Sequence, residues 1–350
     1  MVDGYREHPM TTHVNDDLVE LFASLGVPAA EIPEDLAQQI ELASDAVLGR
    51  ADCYSLTELA ATVDRPVTDV REGFAHLGIT VDDLDDIRYS EADAALAEFL
   101  PAATTDIMME SEGLEILQVI ATSLETLAEA AVAGHVQGPA RRLQRDSDGV
   151  RLNAIVAELG LELGDILPTV FRHHLRQAAH RQRRTQNTEH RELVELTVGF
   201  VDLVGFTSLS HSMTSLELVE FVKDFEGTAR ETARAHQVRI SKMIGDEVMF
   251  VAEESAEAAG FATDLIATFQ NDRVIPRGGV AAGSLITLHG DYFGPIVNLA
   301  ARLVDAAVPG EVLVTAPVAD LLAGSATAAG RRMLRGFDNP VEVWSLSSPA

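Results

Sequence analysis

The order of strand-like and helix-like segments after Leu193 is the feature that most restricts the fold. The run LVELTVGFVDLVGF is rich in valine and phenylalanine, as strands are. A helical segment over about 215–236 follows, and VRISKMIGDEVMFVA then alternates around a central Gly-Asp, which is typical of a β-hairpin. The order β-α-β-β-α-β predicts an α+β sandwich of the ferredoxin-like kind. The later elements expected are a helix over 255–270, a strand over 277–288, a short helix from Gly294, a strand over 311–315 and a last pair of strands near 331–346.

The part of the chain before this segment predicts helices. Alanine, leucine and glutamate dominate residues 14–135, and aromatic residues are few. The stretch from Ser55 to Gly78 predicts helix, turn and helix, with Ser55 or Thr57 as the first cap and Pro66 before the second helix. After Pro168 the sequence predicts a further helix of roughly six turns. We therefore divide the chain into an all-helical N-terminal domain over 1–167, a helical connector over 168–192 and the α+β domain over 193–350.

The net charge of −29 is spread unevenly along the chain. Residues 1–135 carry a net charge of −23. Residues 136–192 carry a net charge of +3, with ten arginines and no lysine. Residues 193–350 carry a net charge of −9. A chain this acidic is repelled by nucleic acid and by anionic membranes over most of its surface. The helix-turn-helix segment is therefore expected to serve packing, and no nucleic-acid partner is expected.

Three features predict a cytoplasmic protein without a membrane span. No apolar run approaches the roughly 18 residues that cross a bilayer. The N-terminus has no basic-then-apolar signal pattern. The single cysteine, Cys53, excludes an internal disulfide framework and fits a reducing compartment.

The connector concentrates histidines. Cysteine and clustered acids are missing at ligand spacing around them, so a metal site is not predicted. Two interpretations stay open: a solvated helix surface, and a hinge that responds to protonation, because histidine titrates between pH 5 and 8. Four of the eleven histidines of the chain lie here, namely His173, His174, His180 and His190.

Two aspartates are candidates for binding metal ions. Asp202 ends a buried strand and precedes a glycine-containing turn into a helix, which suits a cation that bridges to phosphates. Asp246 lies at the tip of the predicted hairpin, where Gly245 lets the backbone turn. If the hairpin pairs beside the first strand, the two carboxylates meet. The pair could then hold two Mg²⁺ or Mn²⁺ ions.

A third segment, HGDYFGPIVNLAARLVDAA, adds polar groups on an otherwise apolar helix. Pro295 sits where a first helical turn tolerates proline. Asn298 and Arg302 are four residues apart and therefore share one face of that helix. Arginine can stabilise the negative charge that builds on a phosphorus atom under attack.

Together, these three segments resemble the homology domain of class III adenylyl cyclases, over about residues 193–350. The resemblance implies a catalytic role for residues 193–350 and a dependence on two Mg²⁺ or Mn²⁺ ions per active site. It further implies that Asp202 and Asp246 bind the metals, Lys242 and Asp291 select adenine, Asn298 and Arg302 stabilise the transition state, and the turn of Gly205, Phe206 and Thr207 offers N–H groups to the phosphates.

The chemistry of the adenine pair agrees with this assignment. Adenine presents an acceptor at N1 and a donor at N6, which a lysine and an aspartate complement, whereas guanine reverses both. Lys242 is one of only two lysines in the chain, beside 24 arginines. ATP is therefore favoured over GTP as the substrate.

In this family the active sites lie at the interface of a head-to-tail homodimer. One chain supplies the metal aspartates, and the other supplies the adenine pair with the asparagine and the arginine. Because every role is present in this sequence, the resemblance implies two equivalent sites per homodimer. The implied reaction is attack of the ribose 3′-oxygen on the α-phosphate, which forms 3′,5′-cyclic AMP and releases pyrophosphate.

Several points stay open on the sequence. No general base is identified, and Arg332 and Arg335 are candidates for gripping the triphosphate by charge and location only. The first 190 residues resemble, more weakly, the regulatory half of soluble actinobacterial cyclases, in which a helical domain inhibits the catalytic domain and responds to pH. The sign of regulation is left open, as is a small-molecule or lipid ligand of that domain.

Three other functions compete with this one. A guanylyl cyclase is disfavoured by the Lys242 and Asp291 pair. A dimer that binds nucleotide without turning it over is disfavoured by the full set of six residues. A DNA-binding regulator is disfavoured by charge.

Overall fold

The computed structural model describes residues 16–105, 110–137, 146–185, 193–269, 271, 273–322 and 324–347. The chain separates into two compact units that divide between Ala178 and Ala179. Along the described helices, none is both long and apolar enough to cross a bilayer. The helices of the first unit are α1 (Asp16–Ser24), α2 (Leu36–Leu48), α3 (Leu56–Thr62), α4 (Val67–His76), α5 (Glu91–Thr105), α6 (Glu110–Gln137) and α7 (Asp146–Thr185), the last of which passes the division. The second unit contains β1 (Leu193–Val204), α8 (Phe206–Ser210), α9 (Ser215–Ala235), β2 (Arg239–Ile244), β3 (Glu247–Ala252), α10 (Ser255–Thr268), β4 (Ile275–Leu288), β5 (Asp291–Phe293), α11 (Pro295–Ala306), β6 (Glu311–Thr315), α12 (Ala316–Leu321), β7 (Thr327–Arg332) and β8 (Val341–Ser347).

The first unit is helical, as predicted, and its helices pack into two clusters. Leu18 and Phe22 of α1 and Val47 of α2 pack with the start of α7. Phe74 of α4 belongs to a second cluster, which also takes residues from α3, α5 and α6. Ser55 caps α3 through a capping box, in which its hydroxyl accepts from the backbone N–H of Glu58 and the Glu58 carboxylate accepts in return. The predicted helix, turn and helix are confirmed.

The connector helix begins earlier than predicted. It is the C-terminal part of α7, which starts at Asp146 and runs through Pro168. An interior proline costs a helix about 3 kcal/mol. Leucine, alanine and arginine, which favour helices, occur on both sides of Pro168 and outweigh this local cost. The proline is therefore inside a helix and does not begin one.

The second unit is built on one mixed sheet with the order β2-β3-β1-β4-β6-β8-β7, and β5 pairs with the end of β4. Neighbouring strands are antiparallel except for β4 and β6, which are parallel. The β2–β3 loop is Gly245-Asp246, and Gly245 has φ of +65°. A positive φ at the first of two loop residues suits a hairpin and is easiest for glycine. The predicted β-α-β-β-α-β order is confirmed.

The two faces of this sheet are covered unequally. Helices α9, α10 and α12 cover one face and contribute, among others, Phe225, Phe261 and Val318 to its core. The other face carries one helix, α11, which packs through Leu303 and Val304. Apolar residues stay exposed at the β2 and β5 end of the sheet and just past α11, namely Ile244, Ile286, Leu288, Phe293 and Val308.

Close packing of α11 on β4 depends on Gly279. A Cβ atom at this position would lie 2.6 Å from the carbonyl oxygen of Ala300 and 2.6 Å from the amide nitrogen of Val304. Both atoms belong to the helix backbone, so only glycine lets the helix approach this far. Gly279 therefore sets how closely α11 packs on β4.

Candidate active site

The structure brings Asp202 and Asp246 together. Asp202 lies near the end of β1 and is in register with Glu247 of β3, the first residue after the hairpin loop. Asp246 lies in that loop, near enough to Asp202 for the Asp202 carboxylate to raise the pKa of Asp246. The hairpin therefore pairs beside β1, as the two carboxylates require in order to meet.

Negative charge is concentrated around these carboxylates. Burial raises the pKa of Asp246, and the nearby Asp202 raises it further. Burial also raises the pKa of Glu247 to about 7, with added repulsion from Asp202, Asp246 and Asp305. Like charges held together in a half-buried place disfavour their ionised forms, and a bound cation reverses this. The arrangement therefore favours a cation beside Asp202 and Asp246.

The chain supplies only part of a metal coordination sphere. Among the residues that the structure describes, no group of three or more histidine, cysteine, aspartate or glutamate side chains is arranged to hold a metal ion. Mg²⁺ is commonly bound by one or two carboxylates, with substrate phosphates and water as the other ligands. Two adjacent carboxylates fit this mode of binding.

Arg277 joins the site, although the sequence did not single it out. Its Nε and Nη2 atoms donate to Oδ2 of Asp202 at 3.2 and 3.0 Å. Its Nη1 atom donates to the carbonyl oxygens of Asp305 at 3.1 Å and Ala307 at 3.4 Å, at the end of α11. The guanidinium thus fixes the Asp202 carboxylate through one oxygen and leaves Oδ1 to other partners. Arg277 lies opposite Asp202 in the β1–β4 register, which no local pattern of the sequence indicates.

Lys242 and Asp291 form a second pair. The ammonium of Lys242 on β2 contacts Oδ2 of Asp291 on β5. Oδ1 of Asp291 accepts from the backbone N–H of Tyr292 at 2.8 Å and from the Ser241 hydroxyl at 3.3 Å. The Asp291 carboxylate is thereby held in one orientation, while both side chains stay partly exposed.

A second arginine that the sequence did not single out supports this pair. The guanidinium of Arg239 on β2 lies over the ring of Tyr292 on β5, 5.0 Å from its centroid, and contacts the Tyr292 hydroxyl. A cation over an aromatic face is attractive. Arg239 therefore holds β2 against β5 next to Lys242 and Asp291.

Asn298 and Arg302 lie on α11, whose opposite side is buried. Asn298 is exposed, and Arg302 donates from Nη1 to Oδ2 of Asp305 at 2.7 Å. Within the described part of the chain, no hydrogen bond or ion pair joins these two side chains to Asp202 or Asp246, the candidates for binding metal. The same is true of Lys242 and Asp291. One chain therefore presents the predicted residues as separate groups.

The predicted phosphate-binding turn leads into α8. Gly205 is the N-cap of this helix, with φ of +94°. The ring of Phe206 stacks on Phe221 with centroids 5.7 Å apart and packs against the core. Phe206 could therefore contact a phosphate only through its backbone N–H, as could Gly205, while Thr207 is exposed.

The remaining candidates lie elsewhere. Arg332 ends β7, the edge strand at the far end of the sheet from β2, and both Arg332 and Arg335 are exposed. His173, His174 and His180 are exposed on α7. His190 lies outside the described residues.

Comparisons with known proteins agree with this geometry. The family model "Adenylate and Guanylate cyclase catalytic domain" matches residues 188–272, which include Asp202, Lys242 and Asp246. "Uncharacterized protein Rv2212" of Mycobacterium tuberculosis is 32% identical over 302 residues, which are 84% of this chain and 79% of that one. An "Adenylate cyclase" of Glutamicibacter nicotianae is 29% identical over 381 residues, 99% of this chain and 93% of that one.

A further relative is the "pH-sensitive adenylate cyclase MT1302" of Mycobacterium tuberculosis, 29% identical over 279 residues, or 75% of this chain and 70% of that one. The family model and these relatives all cover the β1–β3 region in which Asp202 and Asp246 meet. These matches, together with the fold of the second unit, show that this chain belongs to the family of adenylate and guanylate cyclases.

Proposed function

We propose that this cyclase converts ATP to 3′,5′-cyclic AMP and pyrophosphate. The single observation that carries the choice of ATP is the contact between Lys242 and Asp291 on two different strands. The pair offers a donor for N1 of adenine and an acceptor for its N6 amino group, and guanine would meet the opposite pattern. The relative from Glutamicibacter nicotianae, which is named an adenylate cyclase, supports the same choice.

The reaction forms a bond between the ribose 3′-oxygen and the α-phosphorus and breaks the bond from that phosphorus to the pyrophosphate oxygen. Asp202 and Asp246 would hold two Mg²⁺ or Mn²⁺ ions. When bound, such ions lower the pKa of the 3′-hydroxyl and hold the triphosphate. Arg277 keeps the Asp202 carboxylate in place. Arg302 would stabilise the charge that develops on the phosphorus, with Asn298 beside it, and the N–H groups of Gly205 to Thr207 would face the phosphates.

The separation of the predicted residues within one chain supports a homodimer with two interfacial sites. Ile244, Ile286, Leu288 and Phe293 are exposed around the Lys242 and Asp291 pair. An exposed apolar surface of this kind beside polar binding residues is typical of a protein–protein contact. A second copy that covers this surface would bring its own Asp202 and Asp246 to the Lys242 pair.

The direct test incubates the purified full chain with ATP and Mn²⁺ or Mg²⁺ and measures cyclic AMP, with GTP in parallel. We expect cyclic AMP to form and cyclic GMP to form far more slowly. Preferential cyclic GMP formation would favour a guanylyl cyclase. Nucleotide binding without any turnover would favour a dimer that only binds nucleotide.

Complementation tests the interfacial site. Asp202→Ala and Arg302→Ala subunits are each expected to be inactive, and their mixture should regain activity because the heterodimer keeps one intact site. The readout is the rate of cyclic AMP formation after coexpression of two differently tagged subunits. A mixture of Asp202→Ala with Asp246→Ala is the control, since both defects fall in the same half-site. Inactivity of a purified Asp202→Ala and Arg302→Ala heterodimer would contradict the split site.

Arg277→Ala should weaken metal-dependent turnover. Without the guanidinium, Asp202 loses the partner that orients it and faces Asp246 and Glu247 alone. Loss of a partner of a metal ligand typically reduces metal affinity or activity by about 10–100-fold. The measurement is a Mn²⁺ titration of the initial rate, which separates apparent metal affinity from kcat. Arg277→Lys is the matched control and should recover part of the affinity; an unchanged titration for Arg277→Ala would refute this positioning role.

We further propose that the helical unit regulates activity in response to pH. Protonation of the exposed His173, His174 and His180, together with His190, would add positive charge to the connector, which follows a segment of net charge −23. Attraction between the two would then increase as the pH falls. The name of the relative MT1302, a pH-sensitive adenylate cyclase, supports a response to pH and leaves its sign open.

Replacing all four connector histidines with asparagine should therefore flatten the pH dependence. Cyclic AMP formation is compared across pH 5.5 to 8 for the full chain, the four-histidine variant and the 193–350 fragment. Replacement of His211, an exposed histidine after α8, is the matched control and should leave the profile unchanged. A four-histidine variant with the original profile would exclude the connector as the sensor.

A further inference from the structure

Helix α7 presents two opposite apolar faces. Val150, Ala154 and Ala157 are buried against α1 and α2. About half a turn around the helix, at 100° per residue, a second row of apolar side chains is exposed. The exposed row consists of Leu159, Leu163, Ile166 and Val170, with exposed fractions of 38, 37, 53 and 43%.

The spacing of this exposed row indicates what covers it. Its members are separated by four, three and four residues, which is the spacing of a helix–helix seam. A helix that is apolar on two sides needs a partner on each side. The row ends at Val170, because His173 and Gln177 take the next two positions of the same spacing. The partner is therefore expected to be another helix, packed along 159–170.

The charges of α7 indicate the direction of that partner. Residues 146–165 contain five acids and one arginine, whereas residues 166–185 contain five arginines and no acid. A second α7 in the same direction would place arginines beside arginines. In the opposite direction it would place the acidic half of one helix beside the basic half of the other, which is favourable at the 8–10 Å distance between packed helices.

We propose that the exposed face of α7 binds the same helix of a second copy of this chain, antiparallel and across a two-fold axis. The contact is isologous, so the same face is used twice. The axis lies between Leu163 and Ile166. Leu163 of one copy then packs against Ile166 of the other, and Leu159 packs against Val170. This contact uses only the helical unit and is independent of the proposed catalytic dimer.

Cysteine cross-linking in the full chain tests the direction of packing. Cys53 is exposed and is first replaced by serine. In an antiparallel pair, two Leu159→Cys sites lie roughly 16 Å apart along the axis, as do two Val170→Cys sites, at 1.5 Å per residue. A thiol reagent too short for that distance should therefore join Leu159→Cys to Val170→Cys in coexpressed copies. Neither variant should cross-link to itself.

The opposite result, in which each variant joins only to itself, would show parallel helices and overturn the proposal. Helix α6 is the main competing partner, since Ile120, Leu124 and Leu127 are exposed on it and its charged residues are all acidic. Cross-linking of Val170→Cys to Leu124→Cys in place of Leu159→Cys would likewise overturn it. The sites all lie in the helical unit, so an inactive enzyme would leave this test unaffected.

A charge introduced into the seam provides a second measurement. Leu163→Glu with Ile166→Glu should reduce the yield of the Leu159→Cys to Val170→Cys cross-link by about tenfold or more, because an unpaired charge is costly to bury. Leu161→Glu is the matched control, since Leu161 is an exposed leucine on another side of α7. Equal yields in the seam variant and the control would contradict the proposal.

Discussion

Asp246→Ala should abolish cyclic AMP formation and leave the fold intact. A metal ion held by the two aspartates would lower the barrier by several kcal/mol, and each 1.4 kcal/mol is tenfold in rate, so a loss of about a thousandfold or more is expected. The fold should survive because burial and Asp202 raise the pKa of Asp246 in the metal-free protein. A carboxyl group whose pKa is raised on folding gains no stability from its ionised form in the folded protein, so alanine removes no stabilising charge.

The measurement is the initial rate at saturating Mn²⁺, together with thermal unfolding of the metal-free protein. Asp338→Ala, at an exposed aspartate in the loop before β8, is the matched control. Asp202→Ala should be equally inactive but less stable, because it leaves the half-buried guanidinium of Arg277 without its carboxylate. Metal-dependent turnover near the wild-type rate in either variant would refute the two-metal assignment.

Lys242→Glu combined with Asp291→Cys should shift the substrate preference from ATP toward GTP. The double change exchanges the donor and the acceptor that face the purine. A site built to hydrogen-bond its substrate can reject the wrong one by 10⁴–10⁵-fold; for these partly exposed side chains we expect the ratio of ATP to GTP turnover to fall by about a hundredfold. Lys242→Glu alone would place a second carboxylate beside Asp291, so the single variant should be less stable as well as less active.

The measurement is kcat/KM for ATP and for GTP with the same enzyme preparation. Lys223→Glu changes the only other lysine of the chain, which is exposed on α9, and is the matched control for charge. A double variant with the wild-type ratio would show that base selection depends on other residues.

Local sequence predicted most elements of the second unit because their signals are local. The alternating run around Gly245-Asp246 became the β2–β3 hairpin, and Pro295 became the first residue of α11. The strand predicted at 311–315 was observed with those bounds. Pro168 misled the same approach, because a single unfavourable residue was judged without the helix formers on both sides of it.

The partners of the candidate site could not be predicted in this way. Arg277 contacts Asp202 across 75 residues of sequence, and Arg239 contacts Tyr292 across 53. Neither pair has a local pattern, since each depends on which strands are neighbours and in what register. Arg332 and Arg335 were predicted from charge and location alone. The strand order places β7, which ends at Arg332, at the opposite edge of the sheet from β2.

The sequence by itself determined the types of element and their order, because these follow from hydrophobic period and turn residues within short windows. It also supplied the candidate site residues, through the resemblance of its motifs to class III adenylyl cyclases. Only the tertiary structure decided that Asp202 meets Asp246, that Lys242 meets Asp291, and that Arg277 orients the first of these carboxylates. It also decided which apolar face of α7 is buried and which is left exposed. The physical reason is that these contacts come from strand register and helix packing, which bring together residues that no short window of sequence contains.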